Sequence, residues 1–398
     1  MRIIGITFLA PVLAITLASP ADAESGRSAP FELVRSLEAL QNQAAAGNAS
    51  AYAARPKLVA QIAERFQAMD PVIWREPKNA RAVATYVLSG GQPAILRKLI
   101  GLDILPKQDE RLMKGALAYA EGQEAEAREL LGDIDAQTLP PSLGGQLALV
   151  QSTLLMGADR RKAIALLGLA RLLMPGTLVE DVALRREILA TGDSGDIDRF
   201  LSLSEQYVRR FRHSVYAENF LQGFATSAAK LTPSGGAQAL GRLEGLVAML
   251  GVDEQRKVFL SMAETSAIAG NVIMARFSAE HAALLCQEGS AEWARARLYQ
   301  AAALIVTDDY DKGIEALDSI AKAELPSRDA QLRRAVLALA QQLRQWPQAS
   351  EPPGGEQPKP EAARETPPAP QSTSSTAVIS LAQKEISDVD QLLKGSYP

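Results

Sequence analysis

Cysteine, histidine and aromatic residues are all scarce in this sequence of 398 residues. The one cysteine, Cys286, cannot form an internal disulfide, and the two histidines, His213 and His281, supply few ligands for zinc. Aromatic side chains, in which β-strands are enriched, make up only 5% of the chain. We therefore expect helices that are stabilised by packing, with no disulfide, no metal and no cofactor.

The chain also lacks an excess of positive charge. It has 42 Lys and Arg residues against 46 Asp and Glu residues, which gives a formal net charge of -4. Nucleic-acid binding depends on basic surfaces, so it is not expected here. Apolar residues make up 47% of the chain, which is enough to form a core and excludes a wholly disordered protein.

Catalytic motifs are missing as well. The sequence has no serine elbow, no zinc-protease motif, no Walker loop and no paired-cysteine motif. His281 and Cys286 provide at most two metal ligands, so we interpret them as packed side chains rather than a metal site. Asp308 and Asp309 are interpreted as a helix cap rather than as general acids. Since a wall-cleaving enzyme would need a further lysozyme-like domain, we predict that the protein is not an enzyme.

The first residues have the pattern of a secretory signal. A charged start at Arg2 precedes a largely apolar run over residues 3–17, and small residues at Ala21 and Ala23 form an A-x-A cleavage site. Residues 1–23 are therefore predicted to be a cleaved signal peptide, with an uncleaved membrane anchor as the alternative. The mature chain is expected to be a soluble periplasmic protein.

The rest of the chain has the apolar periodicity of amphipathic helices. Prolines at Pro30 and Pro56 are predicted to open the first two helices, and glycine breaks such as Gly90-Gly91 and Gly122 separate later helix pairs. Short turns make the paired helices antiparallel. The pattern predicts an all-α fold made of helical hairpins.

One helix pair has the spacing of a tetratricopeptide-like repeat. Its second helix places Ala163, Leu167, Ala170 and Pro175 at the expected offsets, and the small residues would allow a close approach of the two helices. Thr177-x-x-Glu180 then predicts a capping box at the start of the following helix. The fold is accordingly predicted to be a tetratricopeptide-like solenoid.

Breaks in composition predict how the chain is divided. The sequence Thr232-Pro233-Ser234-Gly235-Gly236 separates an N-terminal helical array, residues 24–232, from a C-terminal helical array, residues 237–346. Residues 347–376, rich in proline and serine, are predicted to be a disordered linker. Residues 377–398 form a short amphipathic segment, which is either a docking peptide or an inert tail.

Four residues are candidates for partner binding. Arg209, Arg210 and Arg212 form a basic cluster at a predicted helix end, where they either bind an acidic partner or complement the helix dipole. Trp74 is either an exposed anchor or a core residue.

Longer strings in the sequence resemble a known family. The similarity to the MotC proteins, which are periplasmic motility proteins of bacteria, covers roughly residues 30–345. It is carried by Phe31–Gln43, by Trp74–Pro93 with its Leu88-Ser89-Gly90-Gly91, by Pro175–Glu180 with Leu184-Arg185-Arg186-Glu187, and by Arg209–Tyr216.

The resemblance implies a function that composition does not indicate. It implies a protein that works beside the flagellar stator, binds the periplasmic part of the stator subunit MotB, and thereby influences motor rotation. It identifies no contact residues. The alternative is a general periplasmic helical-repeat scaffold or chaperone unrelated to motility.

Overall fold

The computed structural model describes residues 28–231, 236–321 and 323–344. Within them the chain forms 17 α-helices, short 3-10 turns and no β-strand. The helices are α1 (Pro30–Ala45), α2 (Ala49–Ala68), α3 (Pro77–Leu88), α4 (Ala94–Gly101), α5 (Glu110–Ala120), α6 (Glu124–Leu131), α7 (Pro141–Leu155), α8 (Arg160–Leu173), α9 (Leu178–Ser194), α10 (Ile197–Phe211), α11 (Ala217–Lys230), α12 (Gly236–Val247), α13 (Val252–Ile268), α14 (Val272–Leu285), α15 (Ala291–Leu304), α16 (Tyr310–Ser319) and α17 (Ser327–Arg344). The predicted signal peptide, linker and tail segment lie outside the described residues.

Stacked helical hairpins make up the architecture. Many consecutive helices pack side by side, as α7 does with α8 and α13 with α14, and α1 also contacts α3, as α11 contacts α13 and α13 contacts α15. Contacts of this kind join each hairpin to the next, which is how a helical solenoid builds a continuous core. The predicted all-α fold of helical hairpins is confirmed.

The α7–α8 hairpin packs as its repeat-like sequence predicts. Ala163, Leu167 and Ala170 of α8 are all completely buried, and they lie on one face of the helix at spacings of three and four residues. The two alanines leave room for the neighbouring helices to approach, while Leu167 fills the space between them.

The start of α2 differs from its prediction. Pro56 lies inside this helix rather than at its first residue, and α2 begins at Ala49, where the side chain of Asn48 accepts a hydrogen bond of 3.0 Å from the backbone N–H of Ala51. Pro56 is exposed to solvent, and because it has no N–H it donates no hydrogen bond to the carbonyl of Tyr52 one turn earlier. The asparagine cap, not the proline, marks the boundary.

Two apolar clusters form the core, and they meet within α9. One cluster extends to Val179 and Ala183, and the other continues from Leu184 and Ile188 towards the C-terminal helices. The predicted division between two arrays was placed instead at the 232–236 break, most of which lies outside the described residues. The helix at which the two clusters join is therefore a central element of the fold.

The chain also returns to its first helix. The side chain of Asn42 accepts a hydrogen bond of 3.0 Å from the backbone N–H of Leu178, and the N–H of Val215 donates to the carbonyl of Ala44 over 3.2 Å. Gly47 has a φ of +101°, and a Cβ atom at this position would collide with the carbonyl of His213. These contacts hold α1 against α9 and against the turn after α10.

Trp74 lies in the core and not on the surface. It is 1% exposed, and its indole ring meets the ring of Phe66 edge to face with centroids 5.1 Å apart. A side chain without accessible area cannot anchor a partner, so the proposed surface role of Trp74 is wrong. For a large apolar ring next to a proline turn, the sequence favoured the core and kept the surface anchor as the alternative.

The position of Trp74 leads to a stability prediction. Replacing Trp74 with alanine leaves a cavity beside Phe66, so the free energy of unfolding should fall by about 3–5 kcal/mol. The control Val72→Ala, at a position that is 63% exposed, should change it by less than about 0.5 kcal/mol. Urea unfolding followed by circular dichroism measures both variants, and similar losses in the two would contradict the burial of Trp74.

Candidate functional site

Three carboxylates of α9 are buried, which is unusual for a helix in the middle of a core. Glu180, Asp181 and Glu187 are each at most 2% exposed. A buried carboxylate is costly unless it is paired and hydrogen-bonded. The partners of these three groups therefore define the polar centre of the molecule.

Glu187 joins three helices. Its carboxylate accepts hydrogen bonds of 2.6 Å from Arg171 of α8 and of 2.7 Å from Arg199 of α10. Arg171 also donates to the side chain of Gln206 on α10 over 2.6 Å. Both oxygens of Glu187 are thus used, and the two arginines hold α8 and α10 against α9.

Glu180 performs a similar role near the start of α9. It accepts hydrogen bonds of 2.6 Å from the backbone N–H of Gly176 and of 2.8 Å from Arg210. The predicted capping box is wrong in its details, since the hydroxyl of Thr177 donates to the carbonyl of Met174 and makes no cap hydrogen bond. The carboxylate reaches one residue further back because it also pairs with Arg210.

Asp181 lies at the centre of a third cluster. It accepts hydrogen bonds of 2.6 Å from Arg185, of 2.6 Å from the hydroxyl of Ser214 and of 3.2 Å from the hydroxyl of Tyr207. Burial, reinforced by the negative charge of Asp181, raises the pKa of Tyr207 well above its usual range. Tyr207 therefore keeps its proton and donates a hydrogen bond to the carboxylate. Together with the bond from Ser214, this ties α10 and the turn after it to α9.

A groove runs along the outer side of this network. Glu180 and Glu187 lie seven residues apart on one face of α9, where they line an open cavity of about 670 Å³ between α8, α9 and α10. Apolar side chains of α8 line its other wall, including Leu172, which is 80% exposed. We call this cavity the α8–α10 groove. Its arginines are Arg171, Arg199 and Arg210, and each pairs with a carboxylate of α9.

The predicted basic cluster is divided by the structure. Arg210 faces the α8–α10 groove and pairs with Glu180, whereas Arg209 is 68% exposed and its nearest carboxylate is Glu205, 4.0 Å away. Arg212 follows the end of α10 and is exposed. Partner binding by these arginines stays a prediction.

The remaining candidates for a chemical role, His281 and Cys286, lie in α14 and directly after it. His281 stacks on Phe259 with ring centroids 4.9 Å apart, and its Nδ1 lies 2.8 Å from the carbonyl of Phe277. Burial raises the pKa of the Cys286 thiol, which makes it less reactive. No cluster of three or more His, Cys, Asp or Glu residues suited to a metal ion occurs in the described part of the chain.

The predicted helix cap formed by Asp308 and Asp309 differs in its contacts. Asp309 occupies the position before α16, but its carboxylate does not accept from the helix backbone. It instead accepts hydrogen bonds of 2.6 Å from Lys312 and of 2.9 Å from Arg276. Two cations within reach outcompete the backbone N–H groups for this carboxylate.

The whole sequence agrees with one family. The family model described as "Chemotaxis protein MotC" matches residues 1–398. The chain belongs to the MotC family. A curated relative of that name from Rhizobium meliloti (strain 1021) is 30% identical over 339 residues, which cover 85% of this chain and 77% of the relative. The resemblance noted in the sequence is confirmed, and the protein is accordingly a motility-related protein.

A solved structure also shows similarity. The tetratricopeptide domain of P58(IPK) is 11% identical in sequence and aligns with 74% of this chain and 86% of that domain, with a TM-score of 0.22.

Three of the segments that carry the MotC resemblance meet around α9. The segment 31–43 provides Asn42, which binds the backbone at Leu178, and the segment 209–216 provides Arg210 and Ser214, which bind Glu180 and Asp181. The segments 175–180 and 184–187 include the first half of α9. Sequence reasoning missed Arg171 and Arg199, because nothing local to these residues indicates that both reach Glu187.

The network predicts a large effect at Glu187. Glu187→Ala leaves Arg171 and Arg199 without their shared partner, so the free energy of unfolding should fall by about 3–5 kcal/mol. Glu205→Ala is the matched control, since its pair with Arg209 is long and exposed, and it should cost less than about 1 kcal/mol. Denaturant unfolding of both variants measures the difference. Equal losses would show that burial of the Glu187 pairs does not stabilise the fold.

Proposed function

We propose that this protein is a non-enzymatic periplasmic motility protein that binds the periplasmic part of the flagellar stator subunit MotB and so influences motor rotation. Membership of the MotC family is the observation that supports this proposal most directly. The stacked hairpins support it too, because helical arrays of this kind offer long surfaces that grip other proteins.

The chemistry of the polar centre supports a role in binding rather than catalysis. Glu180, Asp181 and Glu187 already accept hydrogen bonds from arginine, hydroxyl or backbone donors. A general acid or base must exchange a proton with its substrate, and the oxygens of these groups are already engaged by donors of the protein. Their pairs tie helices together, which is a structural role.

An effect on the motor requires a difference in affinity. The protein can shift the stator between two conformations only if it binds the periplasmic part of MotB more tightly in one of them. A protein that bound both conformations equally would have no influence on rotation, however tight the binding.

Binding is tested with purified components. The mature protein and the isolated periplasmic domain of MotB should co-purify and form a complex in titration calorimetry. A variant that is folded but unable to bind, such as one altered at a contact surface, serves as the control. Absence of association at micromolar concentrations would contradict the proposal.

A deletion strain separates motility from a general envelope role. The proposal predicts intact flagella that are paralysed or weakly driven, which electron microscopy and a swimming assay measure together. The scaffold or chaperone alternative instead predicts envelope defects with normal swimming. Restoring the intact gene should restore swimming.

Export depends on the predicted signal peptide, residues 1–23. In the described residues no helix has the length and apolar character needed to cross a membrane. Mature protein recovered by osmotic shock should begin at Glu24, and Ala23→Leu should block this cleavage because the peptidase requires a small residue. N-terminal sequencing checks the start, and a mature chain that retains residues 1–23 would contradict it.

A further inference from the structure

A second cavity lies on the opposite face of α9 from the α8–α10 groove. It has a volume of about 260 Å³, and α1, α2, α3, α5, α7 and α9 all contribute to its lining. We call it the inner pocket. Arg185 and Arg186 of α9 line it, whereas Glu180 and Glu187 of the same helix face the groove.

The inner pocket is lined by three arginines and by no carboxylate. Arg185 pairs with the buried Asp181, at 2.6 Å, so its charge is compensated. Arg55 donates to the carbonyl of Ser89 over 3.0 Å, and its Nε has no hydrogen-bond partner. Arg186 donates to the hydroxyl of Thr153 over 2.6 Å. In the described part of the chain neither Arg55 nor Arg186 forms an ion pair.

This arrangement leaves positive charge without a counter-charge in a concave site. Arg55 is half-buried and Arg186 is exposed to solvent, so a partner can reach both guanidinium groups. Clefts lined by charge of one sign concentrate ions of the other sign. The contrast with the groove is direct, because every arginine there already has a carboxylate.

The neutral lining of the pocket indicates which kind of anion fits. The rings of Tyr119 and Tyr216 and the amide of Gln146 flank the arginines, and Leu149 and Val182 form an apolar surface beside them. Small-molecule sites usually have volumes of about 300–1,000 Å³. A smaller cavity that combines apolar surface with cations suits one or two amino-acid side chains.

We propose that the inner pocket binds a carboxylate on an acidic segment of a partner protein, with Arg55 and Arg186 as its donors. The planar fork of a guanidinium matches the two oxygens of a carboxylate, so two uncompensated arginines specify this group well. The apolar surface of the pocket receives a neighbouring side chain of the same segment. The inference rests on the proposed function, since it takes the occupant to be a partner protein.

Charge-removing variants of the full chain test this site. Arg55→Gln, Arg186→Gln and the double variant keep hydrogen-bonding groups but lose the charge, and Arg65→Gln, exposed on the same helix as Arg55, is the matched control. The first probe is the isolated periplasmic domain of MotB, and the readout is its affinity in titration calorimetry. We expect the double variant to bind at least tenfold more weakly, and the control to bind like the unaltered protein.

A second probe makes the result independent of MotB. A short capped peptide that alternates glutamate with leucine should bind the unaltered protein more tightly than its glutamine counterpart, and the double variant should lose this preference. Equal binding of the two peptides would overturn the inference. So would inorganic phosphate bound as tightly as the glutamate peptide, because the site would then hold a free anion.

Three further outcomes separate this inference from others. If the MotB domain binds the unaltered protein and the double variant equally, the pocket is not the contact and the proposed function still stands. If the domain binds neither but the peptide preference is present, the proposed function fails and the pocket is supported. If neutralising Glu385, Asp388 and Asp390 of the tail tightens peptide binding, the occupant is the protein's own tail and the inference is overturned.

Discussion

The pairing of buried carboxylates on α9 with arginines of neighbouring helices is the interaction on which the rest of the structure depends. Two apolar clusters meet within this helix, and its buried carboxylates would be costly without partners. Glu187 resolves this by binding Arg171 and Arg199, and Asp181 by binding Arg185 and Ser214. The pairs of Glu187 and the bond between Asp181 and Ser214 join α9 to α8, to α10 and to the turn after α10, whereas the Asp181–Arg185 pair lies within α9. The charges that could destabilise the core thus help to determine how it is assembled.

The two faces of α9 differ in whether the arginines beside them are paired with carboxylates. The paired arginines hold helices together, and the unpaired ones belong to the proposed binding site. On the side of the α8–α10 groove every arginine is matched by a carboxylate, so the groove presents little uncompensated charge. On the side of the inner pocket, Arg55 and Arg186 have only neutral acceptors. A binding surface needs charged or hydrogen-bonding groups that have no strong partner within the protein, because groups that are already paired gain little binding free energy from a ligand. For a motility-related protein, these unpaired arginines are what supports the inner pocket as the proposed binding site.

The sequence predicted the helices better than it predicted their ends or the roles of single side chains. Apolar periodicity and glycine breaks identified the hairpins, because both act over a few residues. Pro56 was wrongly assigned to the start of α2, which is capped by the side chain of Asn48. The start of α9 after Thr177 was predicted correctly, but its cap hydrogen bonds differ, since Glu180 binds the N–H of Gly176 and the side chain of Arg210. The sequence also could not decide whether Trp74 is buried, because a ring next to a turn is buried only if another part of the fold packs against it.

The all-α chain of paired helices and its membership of the MotC family could be read from the sequence alone, since apolar periodicity and long matching strings are properties of the sequence. Which charged groups meet depends on the tertiary structure. Asn42 reaches the backbone of Leu178 across 136 residues, and no pattern within a single helix specifies such a contact. The return of α1 to α9 brings these groups together and separates the matched arginines from the unmatched ones. Local sequence sets which face of a helix is polar, but the neighbouring helices set what that face touches.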